Sequence, residues 1–158
     1  MTLYIENSGI VPEEDIVFCD GNGLPVFIFT EENIEKRICF EGKNAVGETV
    51  IAIQGKPSLI PKLTVMFGGS PFCTVSSKFS FFAHEIKIES PAADFTVIGD
   101  CAGFDYAVYK DKKPFGKVEK KWFDAGINIC MTSKKDEDTA LLAAIVVAAD
   151  ECVKRNSD

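Results

Sequence analysis

The sequence predicts a mostly β fold: a closed antiparallel barrel of roughly a dozen strands around a central, buried C-terminal α-helix. Three observations predict it. From Ile16 to Met131, short apolar runs alternate with turn residues at about ten-residue spacing. Ala140 to Ala149 is then an unbroken apolar decamer in a segment of helical character. No linker, low-complexity tract or charge block divides the chain, so residues 1–158 are read as a single domain.

The strands follow in order. Val17 to Cys19 meets Asp20-Gly-Asn-Gly23, a strong turn signal, and Val26 to Phe29 resumes. Arg37 to Phe40 runs into Glu41-Gly-Lys-Asn44, and Thr49 to Ile53 into Gln54-Gly-Lys-Pro57. Leu63 to Phe67 stops at Gly68-Gly-Ser-Pro71, followed by Phe72 to Val75 and Phe79 to Ala83. Ile86-Lys-Ile88 alternates and is ended by Ser90-Pro91. Phe95 to Ile98, Tyr106 to Tyr109, Val118 to Lys121 and Ile127 to Met131 complete the set. Gly47-Glu-Thr-Val50 to Ile53 with Lys56, and Gly116-Lys-Val118 with Lys120-Lys121, echo one another, a turn glycine leading into a strand that ends in lysine, which either an internal duplication or the repeated hairpins of a barrel would produce.

Asp136 or Asp138 is expected to cap a helix from about Thr139 to Lys154, with Lys154 and Arg155 at its C-terminus. A helix lying on a sheet needs one apolar stripe, whereas this one is apolar on every side and must be surrounded. Ten residues rise only about 15 Å, too short for a bilayer that needs about 20 apolar residues. Protein must therefore surround it, and the chain offers only strands for the purpose. Ala140, Ala143, Ala144 and Ala148 allow close approach, while Leu141, Leu142, Ile145, Val146 and Val147 fill the remaining space.

Composition narrows the function. Seventeen basic against 24 acidic side chains, net −7, argue against sequence-independent nucleic-acid binding. Met1 to Asp15 lacks the basic and apolar regions of a secretory signal, so a cytoplasmic location is expected. Cys19, Cys39, Cys73, Cys101, Cys130 and Cys152 include no CxxC or CxH pair from which to build a zinc site. Five of these six stand beside apolar residues, and buried, reduced thiols are the reading.

No GxSxG elbow or Walker loop is present. Gly99-Asp-Cys-Ala-Gly103 lacks the third glycine of a dinucleotide loop, and Asp20-Gly-Asn-Gly23 lacks the downstream glutamate of a calcium loop; both read as turns. The one histidine, His84, neighbours Glu85, which on a strand points to the opposite face. It reads as structural or solvent-exposed, with an enzyme centred on His84 as the remote alternative. Neither catalytic residues nor a cofactor or metal are expected.

One segment stands out. Lys110-Asp-Lys-Lys-Pro-Phe-Gly-Lys-Val-Glu-Lys-Lys-Trp-Phe123 carries six lysines (Lys110, Lys112, Lys113, Lys117, Lys120, Lys121) against two acids. Its tip, Lys112 to Phe115, sets cations beside an aromatic expected to be exposed, the chemistry of an anionic membrane contact. The bland reading is a solvated hairpin whose lysines protect a sheet edge, with Trp122 in the core. Lys134-Lys135 would extend the patch if placed at the same barrel end.

Phe95-Thr-Val-Ile-Gly99-Asp100, Asp105-Tyr106-Ala-Val-Tyr109, Gly116-Lys-Val118-Glu-Lys-Lys121-Trp122 and Asp138-Thr-Ala-Leu-Leu142 to Asp150 resemble the LURP-one-related family. Val26-Phe27, Arg37 to Gly42 and Gly47 to Lys56 fit its repeated strand–turn pattern, so the likeness spans nearly the whole chain. That family groups with the tubby C-terminal-like superfamily, which includes the phospholipid scramblases. The resemblance implies a twelve-stranded barrel around a C-terminal helix, and membership of a superfamily with phosphoinositide binders. No lipid-contacting motif transfers residue by residue. The calcium segment, palmitoylated cysteine stretch and proline-rich extension of scramblases are missing, so scrambling is not expected.

The expected function is a non-catalytic cytoplasmic binding or scaffold domain, peripheral to a membrane, using the six lysines on anionic phospholipid headgroups. The alternative is a protein–protein adaptor with an exposed strand edge at Phe79, Phe81 and Phe82.

Overall fold

Alternation sets the direction of each side chain. In Glu85-Ile-Lys-Ile-Glu89, Ile86 and Ile88 are buried while the charged residues between them are exposed. The same rule places Ile38 and Phe40, Ile51 and Ile53, and Leu63 and Val65 in one interior. In this computed structural model, which describes residues 1–6, 15–32, 35–57, 61–78, 85–123 and 126–157, twelve strands contribute to that interior. They are β1 (Thr2–Glu6), β2 (Ile16–Cys19), β3 (Pro25–Glu32), β4 (Ile38–Asn44), β5 (Thr49–Lys56), β6 (Lys62–Phe67), β7 (Ser70–Lys78), β8 (Glu85–Glu89), β9 (Phe95–Asp100), β10 (Asp105–Lys110), β11 (Lys113–Phe123) and β12 (Gly126–Ser133). A 3₁₀ turn (Asp136–Asp138) then leads into α1 (Thr139–Ser157).

All pairings are antiparallel, in the order β8-β7-β6-β5-β4-β3-β2-β1-β12-β11-β10-β9. Two meanders, β1 to β8 and β9 to β12, are joined by β1 against β12, from Thr2 opposite Thr132 to Glu6 opposite Asn128. The sheet nearly closes where β8 approaches β9; among the described residues one isolated bridge, between Glu89 and Asp94, joins the two there. β1 was not among the expected strands, although Leu3 is fully buried. The expected strand from Phe79 to Ala83 lies outside the described residues.

An antiparallel meander puts alternate connections at the same end. The β2–β3, β4–β5, β6–β7, β8–β9 and β10–β11 turns therefore share one end, here the turn end. Four of these hairpins repeat one device. Their registers shift at Phe18/Cys19, Gly42/Lys43, Val65/Met66 and Val108/Tyr109, each a step or two before the turn. In each, the residue left over is apolar and lies on the outgoing strand: Val26, Val50, Phe72 and Phe115. A bulge re-aims the extra side chain, and here it packs on the core. In three of the four the preceding residue is proline (Pro25, Pro71, Pro114), which has no N–H to leave unpaired. Phe72 and Phe115 meet Phe95 edge-to-face, at centroid distances of 6.3 and 5.5 Å, and help floor the barrel at this end.

This bulge corrects one expectation. Phe115 is odd-spaced from buried Val118 and by alternation would face solvent; the extra residue turns it inward, leaving it 3% exposed. The suggested duplication is corrected too. Gly47 sits in a turn at φ 85°, whereas Gly116 lies within β11, where a Cβ would collide with Leu142 of the helix. The repeat is the bulged hairpin, not the glycine–lysine pattern.

The helix is central, as its all-round apolarity requires. Leu141 to Ala149 are all buried, and α1 packs on β3, β5, β6, β7 and β12. Its start is pinned by the buried hydroxyls of Ser133 and Thr139, 2.7 Å apart. The acids expected to cap it form the 3₁₀ turn ahead of Thr139. Toward the C-terminus the surroundings open, and Lys154 pairs with Asp150 one turn back at 2.9 Å. Among the described residues no helix is long and apolar enough to cross a membrane.

Two variants test the central helix. A chain ending at Lys135 should show no cooperative melt, because the barrel interior would be empty; a cooperative transition would refute its central role. Leu142→Ala should cost about 2–5 kcal/mol in urea unfolding, the range for a truncated core leucine facing a wall that cannot follow it.

Candidate functional site: the basic rim of the barrel

The β10–β11 hairpin turns on two residues, Asp111 and Lys112, with φ of 50° and 65°. Positive φ at both central positions defines the tight turn whose twist matches the flanking strands. Such a turn favours Asn-Gly, and a lysine held there is conformationally disfavoured. The turn is latched to its neighbour: Asp111 N–H donates to the Asp94 carbonyl at 2.7 Å, and the Asp94 N–H donates to Asp111 Oδ1 at 2.9 Å. On the other side, Lys134 N–H donates to the Phe115 carbonyl at 3.0 Å. Lys134-Lys135 thus stands beside Lys112-Lys113, on the same rim.

The six lysines singled out in the sequence divide by position along β11. Lys110, Lys112 and Lys113 are at the turn end, the latter two exposed. Lys117 lies mid-strand, and Lys120 and Lys121 approach the opposite end, seven and eight positions and roughly 25 Å along the strand from Lys113. Lys117 and Lys121 flank Glu119 on the outer face at 3.3 and 3.5 Å. Burial would raise the Glu119 carboxyl, but the two ammonium groups outweigh it and hold it below its ordinary value. Lys120 sits over the Phe104 ring, 5.7 Å from its centroid. Among the described residues no ion pair reaches Lys110, Lys112, Lys113, Lys134 or Lys135. Trp122, expected in the core, is 80% exposed: its strand runs past the level at which the barrel is filled.

The family model for LURP-one-related proteins matches residues 1–150. The chain belongs to the LURP-one-related family. No curated protein gives a significant match. Among solved structures, the X-ray structure of a protein from Arabidopsis thaliana superposes with a TM-score of 0.63 at 16% identity, covering 97% of this chain and 90% of that one. At that identity the likeness concerns the fold, a twelve-stranded barrel with its C-terminal helix inside.

Within this LURP-one-related barrel, two other groupings could carry chemistry. Near the far end of the helix, Cys101 and Asp150 lie close enough to the buried Tyr106 to act on its phenol. Burial pushes the Cys101 thiol up to about 12, and Cys73 likewise, and it raises the Tyr106 phenol well above its ordinary value. A nucleophile needs the opposite shift. None of the six cysteines is in a disulfide; Cys19 and Cys39 are half-buried and the other four buried. Among the described residues no three metal-ligating side chains converge. His84, Phe79, Phe81 and Phe82 lie outside the described residues.

The second grouping is the seam between β8 and β9, a cleft of about 330 Å³ lined by Ile86, Ile88, Ser90, Phe95 and Val97 among others. These are the two edge strands of the sheet, where an added strand could pair. Its rim opposes that use: Lys87 and Glu89, ion-paired at 2.8 Å beside exposed Glu85, are the charged guard that blunts an edge.

The buried thiols make stability fall in alkali. Cys73 and Cys101 stay protonated in the folded chain up to about 12, against an ordinary value of 9.0. Their contribution is complete below about pH 9 and is lost as pH rises from there toward 12. The urea midpoint should therefore decline from pH 9 upward, and Cys73→Ala/Cys101→Ala should flatten the decline. An unaltered slope in that variant would assign the effect elsewhere.

Proposed function

We propose that this protein is a non-catalytic, cytoplasmic binding domain that rests peripherally on anionic phospholipid headgroups through the lysines of the β10–β11 hairpin. The observation that carries this reading is the convergence of Lys112, Lys113, Lys134 and Lys135 on one rim, exposed and without ion pairs among the described residues. Of the acids beside these lysines, Asp111 has its carboxylate turned to a backbone N–H and Asp136 is paired with the N-terminal ammonium, rather than with a lysine. Lys110 supports the same end, while Lys117, Lys120 and Lys121 are held by Glu119 and Phe104 and supply a weaker flank along the strand. A lysine near an anionic surface contributes about 1 kcal/mol, so four give a weak, reversible contact suited to a scaffold.

Flotation with neutral and anionic vesicles at low and raised salt tests the reading. Binding is expected on anionic vesicles only, weakened by salt. Lys112→Glu/Lys113→Glu should reduce it at least tenfold, and undiminished binding would end the proposal. Lys112→Gly separates fold from function: relief of the positive φ should add about 1 kcal/mol of stability while binding falls.

A further inference from the structure

Among the described residues, six large apolar side chains are strongly exposed, and four of them stand at the turn end: Met1, Leu24, Val46 and Phe67. Single exposed apolar residues are ordinary; three on three successive hairpin tips are not. Leu24 (61% exposed) belongs to the β2–β3 turn and Val46 (76%) to β4–β5, while Phe67 (47%) is the last residue of β6, directly before the β6–β7 turn. They are not needed to close the barrel, because Val26, Val50, Phe72 and Phe115 already pack on the core beneath them.

The tips are also rigid. Asp20 Oδ1 accepts the N–H groups of Asn22 and Leu24 at 2.8 and 3.0 Å, and Asn44 Oδ1 those of Val46 and Glu48 at 3.1 and 2.9 Å. The same pair of backbone bonds recurs in both turns, with Gly23 and Gly47 at φ 79° and 85°. The β6–β7 turn passes through Gly68 and Gly69, both at the positive φ that a two-residue hairpin turn needs. Hairpins two strands apart lie about 10 Å apart, so three exposed apolar groups are spread along one rim over roughly 20 Å. The lysines at 112, 113, 134 and 135 occupy the other part of that rim.

We infer that the turn end docks on a bilayer, with Leu24, Val46 and Phe67 entering the boundary between headgroups and acyl chains while the adjoining lysines meet anionic headgroups. This rests on the lipid reading above and extends it from a charged contact to a shallowly inserted one. Convex tips at this spacing would require three matched pockets in a protein partner, whereas a fluid interface accepts them together. The lysines complement the charge of an anionic leaflet. Acids on the same rim, among them Glu48 and Glu137, limit the purely electrostatic part, so insertion and the lysine contact are both required for binding. Interfacial insertion reaches about 5–10 Å. Trp122, at the far end of β11, would stay in water, roughly 20 Å away even on a tilted strand.

The test uses vesicles of phosphatidylcholine alone and of phosphatidylcholine with phosphatidylserine. Leu24→Ser/Val46→Ser/Phe67→Ser leaves the charge unchanged and should melt as the parent does, yet lose at least tenfold in partitioning onto anionic vesicles. Phe67→Trp in a Trp122→Phe background should show a blue-shifted emission on vesicles, while Trp122 in the parent should remain equally quenchable by iodide. If the serine variant partitions normally while Lys112→Glu/Lys113→Glu does not, insertion is refuted and the lysine contact stands. If the serine variant fails and the glutamate variant partitions normally, insertion stands and the lysine contact falls. A parent that floats with neither vesicle removes both, and protection of Trp122 would reverse the orientation and refute the inference.

Discussion

A helix with apolar side chains on every face can persist in water only if something encloses it, and enclosure by strands constrains everything else in this molecule. Leu141 to Ala149 are buried through two and a half turns. Burying each of the larger side chains contributes about 1.5–3 kcal/mol, and that gain is available only if the wall is continuous. The wall must accommodate the helix locally, which is why β11 carries Gly116 opposite Leu142. The wall must also hold the helix in register, which the Ser133–Thr139 hydroxyl pair does at the point where strand passes into helix. Chain ends are thereby coupled: β1 pairs with β12, and β12 delivers the helix.

Closing the barrel at one end uses the same small device four times. A bulge just past a turn swings an apolar side chain inward, and proline before it in three cases fits a position that cannot be fully paired. Floor and rim become separate structures. The floor consists of Val26, Val50, Phe72 and Phe115 packed on the core, and the rim of tight turns held by Asp20, Asn44 and Asp111, whose exposed apolar and lysine side chains lie outside that core. Rigid backbone with side chains free of structural duty is what a recognition surface needs, since little conformational entropy is lost on contact. The rim here combines protruding apolar tips with lysines that have no ion-pair partner among the described residues. The far end differs, with Lys120 over Phe104 and an exposed Trp122.

Much of this was legible before the structure. The helix was readable because ten apolar residues in succession have no other soluble explanation, and the strand positions because each is bounded by turn residues. The lysine-rich hairpin was readable as a charge cluster, though not its division: alternation and distance set Lys112 and Lys113 on the rim, and Lys117 and Lys121 on Glu119. Phe115 and Trp122 exchanged roles. Phe115 went inward because a bulge broke the alternation that would have exposed it, and Trp122 outward because its strand outruns the filled interior. A signal for the bulges was present in Pro25-Val26, Pro71-Phe72 and Pro114-Phe115, each just after a turn.

The sequence by itself determined that strands must wrap a helix, where most of them turn, and that four of the six thiols would be buried, Cys19 and Cys39 being only half-buried. These follow from local rules, namely side-chain periodicity, turn chemistry and the cost of exposing apolar surface, which depend on residues near one another in the chain. Only the tertiary structure decided that Leu24, Val46, Phe67, Lys112 and Lys134 share one rim. Their separation in sequence carries no distance information until the sheet closes. Closure alternates the connections between two ends, and that geometric consequence of antiparallel pairing, rather than any motif, assembled the surface.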